Sequence, residues 1–123
     1  MKITGYIDEE LNPYLNDIFL VDKNQHLIEL KIILDTGFND ELALPEKYLN
    51  QCNFIPLGDE EYILGDGSIV KENTYQGEIV INKKPLLVTL SLTDDDEALL
   101  GNALLIDKIV QLNFKDNTIE IVG

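Results

Sequence analysis

Apolar residues recur along the chain in short runs cut by turn formers, not at helical spacing. The runs 14–21 and 27–34 are rich in Ile, Leu, Val and aromatic residues and flank Asp22-Lys23-Asn24-Gln25, the pattern of two strands joined by a hairpin turn. The second run ends at Asp35. A short strand over 41–44 leads to Pro45, and Pro45-Glu46-Lys47-Tyr48-Leu49-Asn50 suits one or two helical turns with proline near the first position. Two β-rich runs, 54–64 and 68–81, flank Gly65-Asp66-Gly67, and Asp-Gly between such runs is a strong hairpin signal. Asn82-Lys83-Lys84-Pro85 turns the chain into an apolar strand over 86–92, followed by the acidic loop Thr93-Asp94-Asp95-Asp96-Glu97. After Ala98-Leu99-Leu100-Gly101, Asn102 can cap a short helix through Asp107, and strands over 109–114 and 118–122 join through Lys115-Asp116-Asn117. Many short strands with one short helix near the end predict an all-β protein folded as a closed or nearly closed barrel.

Length and composition narrow this picture. A chain of 123 residues, 45% of them hydrophobic, holds one core, so residues 1–123 are expected to form a single domain. A site that needs two lobes must then draw on two chains. Cys52 has no partner for a bridge, and with His26 as the only histidine no metal cluster has ligand spacing. Cys52 is expected as a small buried apolar residue and His26 as solvent-facing. The acidic loop 93–97 lacks the glycine and ligand spacing of a calcium loop and is expected to be solvated.

The net charge of −14, from 23 acidic and 9 basic side chains, repels nucleic acid backbones and anionic lipid surfaces. The N-terminal residues lack an apolar signal core, and no run approaches the roughly 18 apolar residues of a membrane span. The chain is therefore expected to be cytoplasmic, with no cofactor, no nucleic acid partner and no membrane partner.

The candidate chemistry lies in Asp35-Thr36-Gly37, which follows the apolar Ile32-Ile33-Leu34 and so puts a carboxylate where a buried strand breaks into a turn. Two carboxylates about 3 Å apart cannot both ionise, so one keeps a proton as acid while the other acts as base on a water. The chain has no second Asp-Thr-Gly or Asp-Ser-Gly. A second carboxylate must come from another copy, which calls for a two-fold homodimer. Taken alone the motif is also an ordinary turn after a strand.

Further elements in the same order give the motif its context. Ile33-Leu34-Asp35-Thr36-Gly37-Phe38-Asn39-Asp40-Glu41-Leu42, the turn Leu64-Gly65-Asp66-Gly67-Ser68, and Leu99-Leu100-Gly101-Asn102-Ala103-Leu104-Leu105 followed by Val110-Gln111-Leu112-Asn113-Phe114 together resemble the retropepsin-like aspartic proteases of the short prokaryotic type. The likeness runs from about Thr4 to Val122. It implies an acid-protease barrel with a flap hairpin and an aspartic endopeptidase acting on peptide or protein substrates. Asp35 would be the catalytic acid/base, and the Thr36 hydroxyl would lock the two active loops across the dimer axis. Gly37 would admit substrate backbone, and Leu64, Gly65, Asp66, Gly67 and Ser68 would form the flap. Phe38, Asn39, Leu100 and Gly101 would border the substrate pocket.

The sequence also departs from the retroviral members, which pair an acidic residue after the motif with an arginine after the later glycine. Asn39 and Asn102 stand at those positions, where a neutral hydrogen bond could replace the ion pair. The chain also runs on past Phe114 through a further strand, so the dimer contact is expected to differ. A noncatalytic dimerisation or peptide-binding module on the same fold is the alternative from another functional class.

Overall fold

Strands occupy nearly every apolar run of the sequence in this computed structural model, which describes residues 2–123. In chain order they are β1 (Lys2–Ile7), β2 (Pro13–Leu15), β3 (Ile18–Val21), β4 (Leu27–Glu29), β5 (Ile32–Leu34) and β6 (Leu42–Pro45). After a 3₁₀ segment at Glu46–Asn50 come β7 (Ile55–Ile63), β8 (Ile69–Ile81), β9 (Lys84–Thr93) and β10 (Ala98–Leu100). A second 3₁₀ segment, Asn102–Leu105, precedes β11 (Ile109–Asn113) and β12 (Thr118–Val122).

The run 14–21 is one strand in the sequence pattern but two in the fold. The chain breaks at Asn16-Asp17, where Asp17 takes φ +58°, a left-handed conformation that Asp tolerates better than most residues. The following run also breaks, at Leu30-Lys31, where the Leu30 N–H donates to the Ile18 carbonyl (2.9 Å). These bends let one continuous segment pair with two different parts of the sheet: β2 lies against β1 and β5, and β3 against β4 and β8.

The strands follow the path β11-β12-β1-β2-β5-β10-β6-β9-β8-β3-β4, with β7 added to β8. The fold is all-β as expected, but the path has two free ends, so strand pairing does not close the barrel that the sequence pattern suggested. At one end β4 is only three residues long and carries the exposed charge of Glu29, features that disfavour a further pairing. The expected helix from Asn102 is also shorter than its pattern: Ile106 takes φ −57°, ψ 134° and Asp107 φ +64°, ending it after one 3₁₀ turn.

Inward residues of nearly all strands meet in one core, in which Ile18, Leu20, Ile32, Leu42, Leu44 and Ile79 are fully buried. Cys52 joins it, and burial pushes its thiol up to about 11. His26 is exposed, as are Asp94, Asp95 and Asp96. Among the described residues no helix is long and apolar enough to cross a membrane.

Glu97, the last residue of the acidic loop, is not solvated like its neighbours. Its carboxylate accepts the Tyr14 hydroxyl (2.7 Å) and pairs with Lys31 (3.2 Å), tying the approach to β10 onto β2. The bond to Glu97, with burial, pushes Tyr14 up to about 12 from 10.0. A raised folded-state pKa gives stability that is whole below the unfolded value and is lost as pH rises through the folded one. Chemical denaturation should therefore show stability falling between pH 10 and 12, and Tyr14→Phe should remove that component of the loss.

Candidate active site

The core holds the candidate loop from behind. β5 ends at Leu34, which is buried, and Asp35 follows half-buried, while Thr36 and Gly37 stand exposed. β10 lies between the strand that enters this loop and the strand that leaves it. It pairs in parallel with β5, Leu100 facing Leu34, and antiparallel with β6, Leu100 facing Leu42. Because β10 occupies the gap, the segment 35–41 must arch outward over its end.

Hydrogen bonds fix that arch. The Asp35 N–H donates to the Leu100 carbonyl (3.0 Å), and the Phe38 N–H returns to the Asp35 carbonyl (3.1 Å). On the far side, the Gly101 N–H donates to Glu41 (2.9 Å) and the Asn102 N–H to Phe38 (2.7 Å). The Asp35 carboxylate accepts the Gly37 N–H on Oδ1 (2.9 Å), which fixes its rotation. No side chain fits at Gly101, since a Cβ there would overlap the Asp40 carbonyl and come within 2.7 Å of the Phe38 carbonyl.

Asn39 and Asn102 meet. The Asn102 side-chain amide donates to Asn39 Oδ1 (2.9 Å) and to the Thr36 carbonyl (2.8 Å), a neutral brace across the mouth of the loop. Phe38 is half-buried against Gly101. Leu100 is only 1% exposed and belongs to the core, and it meets the loop through its carbonyl.

The hairpin of β7 and β8 carries Leu64, Gly65, Asp66, Gly67 and Ser68 at its tip, all exposed. The Leu64 N–H bonds the Ser68 carbonyl (2.9 Å), and Gly67 takes φ +85°, where a side chain would be strained. Asp66 accepts both the hydroxyl (2.6 Å) and the N–H (2.9 Å) of Ser68, bonds that hold its carboxyl below the usual range.

The hairpin reaches the loop through residues that the sequence reading did not single out. The Tyr62 hydroxyl donates to Asp40 (3.2 Å), and a bulge after Pro56 leaves Leu57 without a partner in the ladder. Leu57, Asp40, Leu42 and Thr74 border a cavity of about 290 Å³ between hairpin and loop. Thr89, which also lines it, donates its N–H (2.7 Å) and hydroxyl (2.9 Å) to the Glu41 carboxylate, which pins the end of the loop to β9. No local pattern announces these contacts, because each joins residues far apart in sequence.

Comparison with protein-family models and with curated proteins gives no match. Among solved structures, this chain is similar to a retropepsin-like aspartic protease from Rickettsia conorii, at 21% identity and a TM-score of 0.65, over 98% of this chain and 89% of that one. It is also similar to the protease of simian foamy virus (mac), at 16% identity and a TM-score of 0.52, over 70% of this chain and 87% of that one. Identity this low speaks for the backbone alone, and in its backbone, with the 35–41 arch closed by β10 and a long hairpin beside it, this chain has the retropepsin-like fold.

Proposed function

We propose that the chain is an aspartic endopeptidase whose active site forms when two copies, each a single protease domain of residues 1–123, pair about a two-fold axis. The observation that carries this reading is the placement of Asp35: rigidly braced from behind by β10, turned by the Gly37 N–H, and presented at an exposed edge beside a long hairpin. One chain holds one such carboxylate. Two of them facing across an axis share a proton, and the ionised one takes a proton from water as the oxygen adds to the peptide carbonyl. The protonated one gives its proton to the carbonyl oxygen. The resulting diol then collapses, the C–N bond breaks, and the amine leaves with a proton returned by the pair. A shared proton requires an optimum on the acid side of neutrality.

In this reading Thr36 and Gly37 meet their counterparts at the axis, and the hairpin tip closes over an extended peptide that pairs as an added strand. The exposed apolar residues of the hairpin, Ile63, Leu64, Ile69 and Val70, supply surface for that contact. The free edge of β11 also favours pairing of copies. It is uncharged along Ile109–Asn113, and Ile109 and Leu112 are exposed, with Phe114 just beyond its end.

Association must overcome repulsion between two chains of −14 each. The Debye length falls from about 30 Å at 0.01 M to about 10 Å at 0.1 M salt, which largely screens exposed charges on the two copies. Specific activity on a peptide library should therefore rise with protein concentration and with salt up to that range, in parallel with the dimer fraction measured by sedimentation. Activity independent of concentration in a strictly monomeric sample would overturn the two-copy site.

A further inference from the structure

A second cavity lies behind the candidate active loop. It holds about 380 Å³, within the range of small-molecule sites, and opens between the β8–β9 turn and the Asn102–Leu105 segment. Its lining is apolar: Ile3, Ile81 and Leu100 are buried, while Leu86 (40% exposed) and Ile106 (67% exposed) form its walls toward solvent. The groove exists because the helix expected through Asp107 stops after one turn, which leaves Ile106 at the rim instead of packed on the sheet.

The rim carries the opposite sign to the rest of the molecule. Lys84 and Lys108 line the cavity, and Lys83 sits beside Lys84 in the tight turn at positive φ. These are three of only nine basic residues in a chain of net charge −14, and among the described residues none of the three makes an ion pair. We propose that this groove binds a fatty carboxylate of about ten carbons, its chain on Ile3, Ile81, Leu100 and Leu104 and its carboxylate at Lys84 and Lys108.

Charge selects this occupant. A neutral apolar ligand leaves the lysines without a partner, and a second copy docked face to face would set lysine rims against each other. The site does not depend on proteolysis. It meets the loop through Leu100, whose carbonyl holds the Asp35 N–H, and through Ala103, whose N–H donates to the Asp40 carbonyl (3.3 Å).

Decanoate titrated into the full chain below its micelle concentration tests this by calorimetry and by amide chemical shifts. The expected result is saturable one-to-one binding with shifts confined to 81–86 and 100–108. Octanoate should bind on the order of tenfold more weakly, because two methylenes leave the groove. Lys84→Gln combined with Lys108→Gln should weaken decanoate at least tenfold while leaving decanol binding unchanged. Each lysine is replaced singly as well, with unfolding curves to confirm the fold. The proposal is overturned by absence of saturation, by shifts centred on the exposed hairpin, or by glutamine variants that bind decanoate like wild type. It is equally overturned if the 81–86 and 100–108 amides shift on dilution without decanoate, which would mean that another copy fills the groove.

Discussion

Asp35→Asn should lower kcat/KM for peptide hydrolysis by about 10³-fold or more while leaving the unfolding midpoint nearly unchanged. The substitution is close to isosteric. The carboxamide oxygen can still accept the Gly37 N–H that Oδ1 accepts at 2.9 Å, and the Asp35 N–H keeps its bond to Leu100, so the arch has no reason to move. The lost quantity is the proton that the pair must pass between water, carbonyl oxygen and leaving amine, and loss of positioned acid–base chemistry costs about 10²–10⁴-fold in typical enzymes. Here both halves of the pair are changed by one substitution, which places the effect toward the upper part of that range. A variant that still cut the peptides cut by wild type would remove Asp35 from the chemistry.

Gly101→Val should severely destabilise the fold. Gly101 has an ordinary φ of −101°, so the objection to a side chain is space and not backbone conformation. The atoms in the way are the Asp40 and Phe38 carbonyls and the Phe38 ring, and backbone cannot swing aside as a flexible side chain can. Those carbonyls also accept the Ala103 and Asn102 N–H groups, so relief of the overlap breaks the bonds that brace the 35–41 arch. Overpacking of this kind costs about 3 kcal/mol or more, a large part of the 5–15 kcal/mol that holds a typical domain folded. Gly65→Val at the hairpin tip is the control: nothing lies within 4 Å of its Cβ, and stability should change by no more than about 0.5 kcal/mol. Urea unfolding of the two variants side by side decides the matter, and equal losses would mean that the packing at Gly101 is not what braces the loop.

Features written in contiguous residues were legible in the sequence. The strand that ends in Asp35-Thr36-Gly37 and the Asp66-Gly67 turn each depend on neighbours within a few positions, and both lie where their patterns put them. The Asn39–Asn102 contact was expected only through family resemblance, and the structure joins the pair at 2.9 Å.

Other features escaped for identifiable reasons. β1 has inward positions at Ile3, Gly5 and Ile7, and the middle one carries no side chain because Tyr14 passes against it, so the alternation that marks a strand is interrupted. The segment Ala103-Leu104-Leu105-Ile106 reads as helix by composition, yet Asp107 at positive φ turns the chain back toward β11. Asp40 and Glu41 look like solvated charges after a motif. Their roles depend on Tyr62 and Thr89, 22 and 48 residues away, and no local signal reaches that far.

If two Asp35 carboxylates from two copies make one active site, mixing wild type with Asp35→Asn reveals it directly. At fixed total concentration, with exchange between dimers complete, equal parts of the two chains leave one quarter of the dimers with both carboxylates. Activity should then fall to about a quarter of the all-wild-type value and follow the square of the wild-type fraction across the series. A straight line, with half the activity at equal parts, would mean that each chain cuts peptides alone and would contradict the shared site.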